Sequence, residues 1–159
     1  MTTQPAAPIL TGEQHRRLAV DLFNQVWTLI ETPDRNPEQT DVMIHAAHAS
    51  RHHWSLASGA GPENLARGEW QCSRVYSVLG RGEPALWHAR RVLEICESNG
   101  IGDWDLAFAY EALARAHAVA GDRKEAERYV VLARTAGERI AEDDDRELLV
   151  SDLATIEKA

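Results

Sequence analysis

Two cysteines in 159 residues, Cys72 and Cys96, are too few for a disulfide framework and fit a reducing cytoplasm. No stretch approaches the roughly 18 consecutive apolar residues of a membrane span. Met1 to Leu10 lacks the basic cluster and apolar run of a secretory signal, so the expected compartment is the cytoplasm. Positive charge is in deficit, 17 Lys+Arg against 25 Asp+Glu for a net charge of −8, which excludes nucleic acid and membrane as expected partners. Lysine itself is scarce, with 2 residues beside 15 arginines. That bias, with abundant alanine, fits a GC-rich bacterial source. A glycine-rich phosphate loop, a nucleophile elbow and a paired acid and base are all missing. No catalytic residue, enzyme activity or cofactor is therefore predicted.

What is present is the material for one helical domain. With 44% hydrophobic and 26% charged residues the chain can bury a core of its own. Residues 1–10, with Pro5 and Pro8, read as a flexible tail, and residues 11–159 as a single domain. Alternating β-branched residues are almost absent, and apolar stripes at helical spacing are cut by Pro and Gly clusters, so the fold class is all-α. Helices are predicted over Gly12–Glu31, Pro37–Ser58, Glu63–Leu79 and Glu83–Ser98. A fifth, capped by Asp103, runs to Ala120, a sixth follows the Gly121–Asp122 turn, and a last spans Asp145–Lys158. The acidic stretch Glu142–Asp145 is expected to be a solvated loop before it.

Special residues coincide at an offset of 41. Gly80 matches Gly121, Ala85 matches Ala126, Val92 matches Ala133, Tyr76 matches His117, and Cys72 matches Leu113. Each copy is a helix, a glycine turn and a second helix. Ala107, Tyr110, Leu113, Ala114, His117, Gly121, Ala126 and Ala133, together with Ala109 and Tyr129, fall at the spacings of a tetratricopeptide repeat (TPR). Over Ala66 to Glu138 the chain thus resembles a long-helix variant of the TPR family, longer than the usual repeat of about 34 residues. It departs from the pattern at His117, where an aromatic is usual, at Ala114, where glycine is usual, and in the missing closing proline. The resemblance implies a right-handed α-solenoid of about three TPR-like helical hairpins plus a C-terminal capping helix.

In that family the first helix of each pair lines a concave groove, which here implies helices 1, 3, 5 and 7. Leu106, Tyr110, Leu113 and His117 share one side of helix 5, and Cys72, Val75, Tyr76 and Leu79 one side of helix 3. The faces left over carry Arg67, Trp70 and Arg74 on helix 3, and Phe108, Glu111 and Arg115 on helix 5. Aromatics offer contact area with little entropy to lose, and guanidinium forks bind carboxylates in pairs. These six residues are the expected binding site for an acidic protein or peptide segment, making the chain a non-enzymatic interaction scaffold. The lysine and asparagine clamp that some relatives use for a terminal carboxylate is not reproduced, so chain-end recognition is not carried over. An open stack also exposes its ends, so a homo-oligomer is a further expectation.

The competing reading is a metal-binding helical protein, hydrolytic where the ion activates water. Asp41, His45, His48 and His52 fall within about 80° of one another on helix 2, and imidazoles with a carboxylate suit zinc, nickel or iron. A solvated helix face explains the same pattern. The His48/His52 spacing is similar to that of metal-binding four-helix bundles of the ferritin-like or nuclease-inhibitor type, but no Glu-x-x-His pair occurs among the seven histidines. His88 and His117 are distant ligand candidates, with His117 facing inward as a hydrogen-bonded core residue. The five tryptophans read mostly as packing residues. Cys72 and Cys96 read as small buried hydrophobes.

Overall fold

A computed structural model describes residues 9–157, which places the first eight residues of the expected tail, and Lys158, outside the described ones. Seven α-helices and no strand occur among the described residues. They are α1 (Gly12–Glu31), α2 (Pro37–Trp54), α3 (Pro62–Val78), α4 (Gly82–Asn99), α5 (Asp103–Val119), α6 (Arg123–Gly137) and α7 (Asp143–Glu157). Their starts follow local chemistry. The Thr11 hydroxyl accepts the Gln14 amide at 3.2 Å while the Gln14 side chain accepts the Thr11 amide at 2.7 Å, and Asn36 and Gln39 repeat this exchange before α2. Pro37 and Pro62 occupy the first turns of α2 and α3, where a missing N–H costs nothing.

Beyond shifts of a single residue in α3, α4 and α5, three features of the helix ends differ from expectation. α2 stops at Trp54 rather than Ser58, because the Ser55 hydroxyl bonds the His52 carbonyl (2.6 Å) and the following amides reach back only three residues. Asp103 does not cap α5 through its side chain; its carboxylate instead accepts the Ala141 amide at 3.0 Å. Backbone hydrogen bonds from Trp104 and Ala141 hold that carboxyl below its usual pKa. Asp143, Asp144 and Asp145 form the first turn of α7 itself, where negative charge faces the positive end of the helix dipole.

Helices pack as neighbours in sequence: α1 on α2, α3 on α4 and α5 on α6, with α2 against α3 and α4 against α5. The odd-numbered helices also touch in succession from α1 through α3 and α5 to α7. Small residues let the helices approach. Ala85, Ala89, Ala112 and Ala116 pack with Leu113 between α4 and α5. Buried serines between helices bond to main-chain carbonyls, as Ser50 does to Ala19 (2.7 Å) and Ser73 to Ala85 (2.9 Å).

The 41-residue match extends to the turns. Gly80 and Gly121 both have left-handed backbones (φ 70° and 84°), a conformation that Cβ disfavours. Arg81 N–H bonds the Tyr76 carbonyl and Asp122 N–H the His117 carbonyl, each at 2.9 Å. Behind the turns Tyr76 stacks on His88 and His117 stacks on Tyr129, with ring centroids 5.7 and 5.5 Å apart. Residue 88 plus 41 is 129, so both hairpins hold an aromatic–imidazole pair with the two partners exchanged.

Candidate functional site

The six residues expected to bind a partner lie together, but most of their chemistry is engaged within the chain. Arg67 grips Asp105 through two hydrogen bonds (3.0 and 2.9 Å) and lies over the Trp104 ring at 4.5 Å. The Asp105 hydrogen bond raises the Arg67 pKa. Trp70 is packed between Trp27 (5.4 Å) and Phe108 (5.9 Å, edge to face). Arg74 reaches Asp152 of α7 at 2.6 Å and Glu111 at 3.5 Å. Arg115 bonds Glu111 at 2.7 Å, and on α7 the Asp152 carbonyl and Thr155 hydroxyl, both at 3.0 Å.

Phe108 and Glu111 are therefore not on an open face; their exposures are 4% and 0%. The reason is that α5 is buried on nearly every side, with α7 laid against it. The carboxylate that an arginine-rich face should attract is supplied by Asp152. Glu111 Oε2 is buried without a hydrogen-bond partner among the described residues, beside two guanidinium groups that offset the cost of burying its charge.

An open cleft of about 710 Å³ remains between the end of α5, the length of α6 and the end of α7. Val119, Val130, Val131 and Ile156 give it an apolar wall, and Arg115, Arg123 and Arg134 outnumber Glu127 around it. Arg123 makes no ion pair among the described residues. Of the tryptophans, Trp54 is buried, Trp27, Trp70 and Trp104 are partly buried, and Trp87 stands out at 61% exposure.

A second polar constellation joins α2, α3 and α4. One donor atom each from His48, Cys72 and His88 lies within 4.8 Å of the other two. His48 Nε2 is hydrogen-bonded to the Tyr76 hydroxyl at 2.9 Å, and His88 Nδ1 donates to Glu69 at 2.6 Å. Arg51 completes the chain by donating to the other Glu69 oxygen at 2.8 Å. Gly68 makes room for this, since a Cβ there would stand 2.8 Å from Arg51 Cδ. Burial pushes the Cys72 thiol up to about 12, with the Glu69 charge adding to the effect. Burial, then His88, lowers the His48 pKa. Burial alone would raise Glu69, but the His88 hydrogen bond and the Arg51 charge hold it below the usual carboxylate value.

Of the helix-2 candidates only His48 enters this group. Asp41, His45, His48 and His52 do not form a common ligand set among the described residues. Asp41 and His52 are eleven residues apart, about 16 Å along a helix axis, too far to share one ion. His52 instead packs beside His53, whose Nδ1 bonds His15 at 2.7 Å. His117 is buried, as expected, but its Nδ1 has no hydrogen bond among the described residues; Asp122 stands 3.7 Å away. Cys72, which reads in the sequence as a small buried hydrophobe, and His88, which reads there only as a distant ligand candidate, come from two other helices, so spacing along helix 2 does not join them to His48. The exchanged Tyr76/His88 and His117/Tyr129 pair at offset 41 carried the signal for His88.

No family model, no curated protein and no solved structure matches the chain. Its function is accordingly read from its own residues.

Proposed function

We propose that this chain is a scaffold of TPR type, a right-handed open stack of three helical hairpins capped by α7, which holds an acidic segment of a partner protein without catalysing a reaction. The succession of α1, α3, α5 and α7, and the two superposable glycine turns, support the stack. The recognition surface moves from the groove of helices 1, 3, 5 and 7 to the cleft bounded by α5, α6 and α7. The observation that carries this reading is that cleft: an apolar wall with Arg123 at its rim, beside Arg134 and the Glu111-bound Arg115, in a chain of net charge −8. An amphipathic helix with acidic residues beside its apolar stripe matches both features.

The test is a titration of the full chain with amphipathic peptides of equal length whose polar faces are acidic, neutral or basic. The acidic peptide should bind tightest, and Arg123→Glu combined with Val131→Asp should weaken it at least tenfold. Equal binding of all three peptides, or no effect of the double substitution, would overturn the reading.

A further inference from the structure

We propose that His48, Cys72 and His88 together bind one zinc-class metal ion at the junction of α2, α3 and α4. Two imidazoles and a thiolate form a donor set of the kind zinc takes when a fourth position is left to water. Each ligand comes from a different helix, and their donor atoms converge to within 4.8 Å. With bonds of about 2.0–2.3 Å, donors of a tetrahedral ion stand roughly 3.3–3.7 Å apart, so closure takes a side-chain movement of around an ångström.

The surroundings are those of a metal ligand. Glu69 accepts a hydrogen bond from His88 Nδ1, which makes Nε2 the ligating nitrogen of the neutral imidazole, and Arg51 fixes Glu69 in turn. Cys72 is fully enclosed, whereas the His48 side of the cluster reaches solvent, giving an ion a route of entry. Packing alone does not require this set. At offset 41 the same hairpin positions hold Tyr110 for Glu69, Leu113 for Cys72 and Tyr129 for His88, and that junction packs as an apolar one. The ring stack is kept there; the ligands are not. The inference is independent of the peptide-binding reading and departs from the expectation of no cofactor.

Titrating the full chain, freed of metal and made without a polyhistidine tag, with Co²⁺ tests it. One equivalent should bind with thiolate-to-cobalt charge-transfer absorption that Zn²⁺ abolishes by displacement. Cys72→Ser, His48→Asn and His88→Asn should each remove the band, and Glu69→Gln should weaken binding about 10–100-fold. His45→Asn, His52→Asn and Cys96→Ser should leave it unchanged. No band at saturating Co²⁺, a band that survives Cys72→Ser, or an equal loss in His45→Asn overturns the proposal. Should Cys72→Ser fail to fold by circular dichroism, His48→Asn at the solvent edge decides, and a retained band there overturns it as well.

Discussion

The α3–α4 and α5–α6 hairpins share a skeleton and differ in what fills it. Both turn on a left-handed glycine, both close with a 2.9 Å bond back to the helix, and both stack an imidazole on a phenol ring. Inside the first lie Glu69, Cys72 and His88 with Arg51 from α2; inside the second lie Tyr110, Leu113 and Tyr129. The backbone geometry thus tolerates either a hydrogen-bonded polar set or one of aromatic rings around a leucine. The polar set is a choice of side chains that the turn does not impose.

Leu113→Ala should show the largest effect, because it empties a fully buried place inside the second hairpin. A loss of about 3 kcal/mol in denaturant unfolding is expected, against about 1 kcal/mol for Cys72→Ala at the equivalent position. Equal losses would mean that the two junctions are not packed differently. Next comes Glu69→Ala, which strands Arg51 and His88. About 2 kcal/mol should be lost, and Glu69→Gln should recover part of it. Gly80→Ala and Gly121→Ala probe the common skeleton. A Cβ meets nothing within 4 Å at either, so each should cost about 1 kcal/mol through backbone strain alone, and unequal costs would break the equivalence of the turns.

The smallest effect concerns pH. Burial lowers the His117 pKa from 6.5, with Arg90 and Arg128 adding to the shift and Asp122 and Glu125 opposing it. The folded chain then binds fewer protons than the unfolded one, so His117 contributes stability above pH 6.5 that is lost as pH falls through its folded pKa. His117→Tyr, which copies residue 76, should reduce the loss of thermal stability between about pH 7 and 5. An unchanged slope in thermal melts would assign that loss to other groups.

All seven helices were legible in the sequence, because apolar stripes and Pro or Gly breakers are local signals. Where α2 ends was not, since serine hydroxyls compete with the helix for carbonyls after Trp54. The arginine and aromatic residues of helices 3 and 5 touch one another, Trp70 against Phe108 and Arg74 against Glu111. Their burial was not foreseen, because Asp152 returns to Arg74 across 78 residues and no periodicity encodes that contact. His48 was legible as a donor, but its partners are 24 and 40 residues further on, on helices whose packing supplies the convergence. Sequence spacing on a single helix favoured Asp41, His45 and His52, which one ion could not reach together.

The equivalence of the Gly80 and Gly121 turns has a practical corollary. A cassette of 41 residues, cut at one of these corners and spliced in at the other, would meet carbonyls and amides already oriented to receive it. Lengthening the protein by duplication therefore demands no new corner, only side chains that agree on which of the two interiors to build.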